Sequence, residues 1–228
     1  MSSETHLDNR LQLCAAYVRR GMRVADIGTD HAYLPVWLCR NGICPSAIAA
    51  DVKPEPLARG KMTIAAAHMQ DRVQARLSDG LQAIGEDETD DIVMAGMGGE
   101  LMAHIIGACP YAKNPQKHFV LQPMTKSEVL LRWLCDNGFA VQAQDCCVAG
   151  GKCYTVLSVV YTGQTAAADD LFPYTGRLRP YENETHRRFV QGHIDRLRKQ
   201  AMGDARYGVL ADRLEEYCDN GTGYFGLV

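Results

Sequence analysis

No two cysteines in this 228-residue chain are spaced C-x-x-C, which removes the usual zinc framework. The nine cysteines are odd in number and no secretion signal accompanies them, so most read as small buried hydrophobes rather than disulfide partners. Cys146 and Cys147, with Cys153 close behind, leave redox sensitivity as the alternative. No apolar run is long enough to span a bilayer. The opening stretch, MSSETHLDNRLQLC, lacks the apolar core of a signal peptide. The expectation is a soluble cytoplasmic protein with no membrane and no metal. A basic excess is missing too, since 24 Lys and Arg face 27 Asp and Glu. That excludes a global nucleic-acid signature. The balance is uneven, however. Residues 1–176 hold 15 Lys and Arg against 19 Asp and Glu, whereas residues 177–228 hold 9 against 8. Any basic surface is therefore expected in the C-terminal part.

What is present is a regular alternation. DNRLQLCAAYV has helical apolar spacing and a capping Asp8 or Asn9. RVADIG reads as a buried strand, AYLPVWLCRN as a helix with Pro35 in its first turn. SAIAADV, VQARLSDG, DIVMAGMGG and HFVLQP read as further strands. PEPLARGKMTIAAAHM, ELMAHIIGAC and KSEVLLRWLCDNGF read as helices. AVQAQDCCVAGGKCYTVLSVVYTG reads as two strands around a Gly-Gly turn. The fold class expected is α/β, a doubly wound, mostly parallel sheet closed by an antiparallel hairpin. Residues 164–180 read as a linker or an irregular crossing segment. Val190, Ile194, Leu197 and Ala201, then Tyr207, Leu210, Leu214 and Tyr217, read as the seam of a short antiparallel helical hairpin. Two units follow: 1–163, a nucleotide-type catalytic domain, and 164–228, a linker with a small helical domain.

In such a sheet, ligands bind beyond the C-terminal strand ends. The polar residues collect there: Asp26 to Tyr33, Asp51, Ser78 to Gly80, Ala95 to Gly99, and Gln122 with Pro123. Gly28 supplies the first strand-to-helix turn. Asp51 ends the second strand, where an acid can hold a ribose diol. Asp79 ends the third, where a carboxylate can accept from an adenine amino group. Each acid alone reads equally well as a helix cap; three on one rim point to a cofactor. The first turn is not G-x-G-x-x-G, because Asp30 and Tyr33 stand where the later glycines belong. A pyrophosphate would meet the Asp30 carboxylate, which argues against NAD or FAD. A cationic or zwitterionic cofactor such as S-adenosylmethionine suits two nearby aspartates. The loop MAGMGGE after strand four has neither the prolines nor the amide of the Asn/Asp-Pro-Pro-aromatic motif common in methyltransferases acting on an exocyclic amine, so the target is expected to be presented differently.

The stretches RLQLCAAYV, VADIGTDHAYLP, AIAADVKPEPL, RLSDGL, IVMAGMGGELM, VLQP and LRWLCDNGF fall in the order and spacing of the bacterial tRNA (adenine-N1)-methyltransferase family TrmK. The chain resembles that family from about Arg10 to Tyr161. The resemblance implies a Rossmann-like class I methyltransferase domain. It also implies methyl transfer from S-adenosylmethionine to N1 of adenine 22 in tRNA. The cofactor residues implied are Arg10, Asp26, Gly28, Thr29, Asp30, His31, Asp51, Val52, Asp79, Gly80, Ala95, Gly96, Met97 and Gly98. Asp30 is expected nearest the reacting atoms, as the catalytic residue. Tyr33, Gly99, Gln122 and Pro123 are expected to meet the substrate. Arg187, Arg188, Arg196, Arg198 and Lys199, clustered in one helix, are expected to meet tRNA phosphates. The helical part is expected to be short beside the family's coiled coil. Other acceptors, or a binding module without turnover, are the alternatives.

Overall fold

The computed structural model describes residues 6–165 and 169–221. Parts of three sequence-based expectations lie outside the described residues: the polar residues 1–5, residues 166–168 of the linker, and residues 222–228 of the tail. In chain order the elements are α1 (Asn9–Tyr17), β1 (Val24–Ile27), α2 (Tyr33–Arg40), β2 (Ala47–Asp51), α3 (Pro54–Ala66), β3 (Val73–Leu77), β4 (Asp91–Gly98), α4 (Gly99–Ala108), β5 (His118–Thr125), α5 (Ser127–Asp136), β6 (Phe139–Ala149), β7 (Lys152–Tyr161), α6 (Phe172–Thr175), α7 (Glu184–Gln200) and α8 (Arg206–Asn220).

One seven-stranded sheet has the order β3-β2-β1-β4-β5-β7-β6. The first five strands are parallel, and β7 joins β5 and β6 antiparallel. The alternation of buried strands and amphipathic helices produces this layering, because both faces of a parallel sheet must be covered. One apolar cluster gathers Ile92, Met94, Phe119 and Leu121 with Met102, Leu130 and Leu134 on the α4–α5 face. Another gathers Val24, Ala49, Val93 and Val120 with Cys14, Leu34 and Ile64 on the α1–α3 face. The order reverses between β1 and β4, and a doubly wound sheet opens its ligand crevice at such a point. Seven of the nine cysteines are buried and all are free thiols.

Two expectations are corrected. The segment 164–180 is more than a linker: α6 lies within it, and Leu171, Phe172 and Leu178 are buried. Those side chains need a core, and they find it against the helical hairpin and the sheet. The hairpin seam also differs. Val190, Ile194, Leu197, Leu214 and Tyr217 are buried as expected, but Ala211 and Cys218 join them while Tyr207 stays exposed. At the turn Gly208, rather than Tyr207, lies beside the end of α7, its Cβ position in ordinary contact with Ala201 at 3.6 Å.

Candidate active site

The first strand turns sharply into its helix at Gly28, whose φ of +78° favours glycine. The Gly28 and Thr29 amides both donate to the Ala50 carbonyl on β2, at 2.8 and 3.0 Å. This pins the turn to the crevice. The Thr29 hydroxyl accepts from the Ala32 amide at 3.1 Å and caps the left-handed entry to α2.

Asp26 and Asp30 stand four residues apart in opposite surroundings. Asp26 is buried, and burial pushes its carboxyl up to about 6 against a hydrogen bond from Thr29, with the Asp51 charge adding to the rise. Asp30 is exposed and held below the usual carboxylate range, chiefly by its hydrogen bond from Arg59. His31 Nε2 lies 3.4 Å from Asp30. The His31 ring stacks on Tyr33, with centroids 5.0 Å apart and planes 5° from parallel. Tyr33 is exposed at the crevice.

The opposite wall comes from β4, β5 and α1. Gln122 has no exposed surface. Its Oε1 accepts from Arg10 and from the Gly96 amide, each at 3.1 Å, while its Nε2 donates to the Pro123 carbonyl at 3.0 Å. One buried amide thus fixes α1, the end of β4 and the end of β5 against each other, and the stretch expected as a loop after strand four is the last part of β4 itself. Arg10 also pairs with Asp8 and lies over the Tyr154 ring, 5.5 Å from its centroid. The open space beside Gly96 faces the crevice.

These residues line one cavity of about 540 Å³. It brings together Arg10, Asp26, Gly28, Thr29, Asp30, His31, Tyr33, Ala95 and Gly96 from the sequence expectation. Met97 packs its side chain against Gly28. Asp51 lies at the adjacent strand end and accepts from the Lys53 amide at 2.8 Å, with Val52 exposed beside it. Asp79 and Gly80 line a separate cavity of about 290 Å³ with His104 and Ile105. The three acids therefore share a rim but not one cavity.

Several assignments need revision. Gly99 is buried, and its Cβ position is filled by the Lys126 carbonyl. It lets α4 start against α5, so packing explains it where substrate contact was expected. Gln122 is equally enclosed and acts on its neighbours. Arg187 pairs with Asp219, and Arg198 with Asp212 and Glu215, so their charges are already answered. Arg188, Arg196 and Lys199 have no such carboxylate among the described residues. His6, Asp8, Leu11 and Met124 line the cavity without having been singled out for it. Asp8 was legible only as a helix cap, and Met124 carried no signal beyond following VLQP. A larger groove of about 640 Å³ lies between α1 and α2, beside Arg20, Trp37 and Arg40. It holds no carboxylate and no strand end, so it lacks the chemistry of the crevice.

Among the described residues no group of three or more His, Cys, Asp or Glu could hold a metal, and no helix is long and apolar enough to cross a membrane.

Residues 7–157 match a family model described as a methyltransferase domain. Over 176 residues the chain is 34% identical to the tRNA (adenine(22)-N(1))-methyltransferase of Bacillus subtilis (strain 168), covering 77% of this chain and 74% of that protein. A Streptococcus agalactiae protein of the NADB-Rossmann superfamily superposes with a TM-score of 0.85 at 27% identity, over 96% of this chain and 100% of that one. A Streptococcus pneumoniae protein, described as a candidate tRNA (m1A22) methyltransferase and solved with S-adenosyl-L-methionine, superposes with a TM-score of 0.84 at 28% identity, over 93% of this chain and 100% of that one. Both superpositions cover the whole of the relative's solved chain.

Proposed function

Because the chain belongs to the tRNA (adenine(22)-N(1))-methyltransferase family, we propose that it transfers the methyl group of S-adenosylmethionine to N1 of adenine 22 in tRNA. The observation that carries this reading is the crevice at the β1–β4 switch. There a buried carboxylate, Asp26, and an exposed one, Asp30, border a single cavity.

The residues present fit the cofactor. Among the described residues Asp26 has no ion-pair partner, so it is a buried acid to which a cationic group would be welcome. S-adenosylmethionine supplies an electrophilic methyl group on a sulfonium, together with an ammonium, a ribose and an adenine. Asp26 and the Gly28–Thr29 turn would hold its charged end. Asp51 would accept from the ribose hydroxyls. Val52 and Asp79 would border the adenine, and Ala95–Gly98 at the end of β4 would present its main chain.

Adenine N1 carries its own lone pair, so no strong base is needed before attack. Methylation leaves the ring positively charged. Asp30, ionised and exposed, would offset that charge as it develops by turning its carboxylate from the exposed Arg59 to the ring. The exposed Tyr33 ring, stiffened by its stack on His31, offers a face to the target base. Arg10, Gln122 and the Gly96 amide hold the facing wall in register, which is a positioning role.

In this reading residues 1–163 carry the reaction and residues 164–228 form a helical unit that meets tRNA. With tRNA as substrate the protein works in the cytoplasm. The test is methyl transfer from labelled S-adenosylmethionine to two unmodified tRNA transcripts, identical except for adenine or guanine at position 22. Label on the adenine transcript alone, recovered as 1-methyladenosine, is expected. Label on both transcripts, or on neither, overturns the assignment.

A further inference from the structure

We propose that the cleft between α7 and the β5–α5 turn is a phosphate clamp that feeds the tRNA backbone toward Asp30. This rests on tRNA being the substrate. The cleft, of about 470 Å³, is lined by Lys126, Lys152, Arg188 and Arg196, with Glu128 as its one carboxylate. The chain as a whole is acidic, so four cations around one opening are a local concentration. Met124 lines both this cleft and the Asp26–Asp30 cavity. The two openings therefore share a wall.

What separates these cations from the others on α7 is the chemistry of their partners. Arg187 and Arg198 are answered by carboxylates. Arg188 instead donates to the Gly151 carbonyl at the hairpin turn. Arg196 donates to His193 Nδ1 at 2.7 Å. That histidine is buried and accepts through Nδ1, so its proton sits on Nε2, 3.3 Å from the Ser127 hydroxyl. Burial and the Arg196 charge push its pKa down to about 3, which keeps the ring neutral. Both arginines are thus aimed by neutral acceptors, with the Glu128 carboxylate 3.8 Å from the His193 nitrogen that Arg196 bonds. A hydrogen bond to a neutral group fixes direction without cancelling the field, as an anion-binding site requires.

The backbone supports the same arrangement. Residues 188, 192 and 196 share one face of α7. Position 192 is a glycine with open space beside it, so nothing fills the cleft between the two guanidinium groups. Lys126 sits in the left-handed region at φ +55°, at the start of α5. Lys126 is paired with Glu100 at the surface, so among the described residues the cleft cations without a carboxylate partner are Lys152, Arg188 and Arg196. Lys152 is exposed at the first residue of β7.

The experiment measures tRNA affinity against salt concentration for the wild type, Lys152→Glu, and Lys152→Glu combined with Arg188→Gln. S-adenosylmethionine affinity is measured on each protein to confirm an intact fold. Lys113→Glu makes the same charge change at an exposed position before the start of β5, at the end of that strand opposite the cleft, and serves as control. Expected for Lys152→Glu is a Kd for tRNA raised roughly tenfold, with the slope of log K against log salt reduced by about one per lost contact. The double variant should fall further, and Lys113→Glu should match wild type. Cleft variants that bind tRNA with wild-type affinity and slope overturn the clamp. A wild type that binds tRNA through these residues but transfers no methyl group overturns the proposed reaction and leaves the clamp standing. A wild type that binds no tRNA overturns both.

Discussion

The rim of the sheet and the face of α7 handle charge in opposite ways. On the rim, acids are separated by environment. Asp26 is buried with its carboxyl raised to about 6, while Asp30 is exposed and held low by Arg59. On α7, cations are separated by partner. Carboxylates answer Arg187 and Arg198, while neutral acceptors aim Arg188 and Arg196. Counting charges along a sequence treats all members of each group alike. Burial and partner chemistry decide which of them can act on a ligand. In the proposed reading, reaction and grip would use different devices: an ionised carboxylate exposed at the strand end for the reaction, and cations without a carboxylate partner in the cleft for the grip.

The comparison can be broken first at Asp30. Asp30→Asn keeps the shape and removes the charge that faces the product ring. A kcat lowered on the order of 100- to 1000-fold is expected, with cofactor affinity unchanged, since removal of one group stabilising developing charge has that effect. Retained kcat would remove Asp30 from the reaction. At Asp26 the effect is on binding. Asp26→Asn should weaken S-adenosylmethionine roughly ten- to hundredfold by calorimetry, the loss of a charged hydrogen-bonding partner. The wild type adds a pH signature. A cationic ligand prefers the ionised acid, so affinity should fall as pH drops through about 6 and stay flat above it. Asp26→Asn should lack that dependence. In the free protein the sign reverses. The native state binds the Asp26 proton more tightly than the unfolded chain, so this group's contribution to stability declines as pH rises from its ordinary value, about 3.9, toward about 6. The smallest change is expected at Gln122→Ala, which removes its bonds to Arg10, still paired with Asp8, and to the amide of the exposed Gly96. About 1 kcal/mol of stability should be lost in denaturant unfolding, the net worth of such hydrogen bonds. An unchanged midpoint would show that the two walls are held otherwise.

Much of the fold was legible because each signal was local. Alternating buried strands and amphipathic helices, Pro35 in a first turn and the Gly-Gly hairpin all report on short windows. The strand-end rule then placed Asp26, Asp30 and Ala95–Gly96 on one side of the sheet without further information. What was hidden depended on contacts between distant segments. Arg59 reaches Asp30 from α3, and Asp8 and Met124 reach the cavity from opposite ends of the domain. No periodicity marks such meetings. Gly99 looked like a ligand loop and is a packing glycine, because the Lys126 carbonyl that fills its Cβ position lies far along the chain. The basic helix was visible as a cluster, but Lys126 and Lys152 join two of its arginines only through the folded hairpin and sheet.

The most direct measurement is steady-state methylation of the adenine-22 transcript over a range of tRNA concentrations, with Asp30→Asn and Lys152→Glu beside the wild type. A division of labour between rim and cleft predicts that Asp30→Asn stays slow at saturating tRNA. It also predicts that Lys152→Glu recovers the full kcat with a raised KM. Full kcat in Asp30→Asn, or a kcat that stays depressed in Lys152→Glu at saturation, would contradict it.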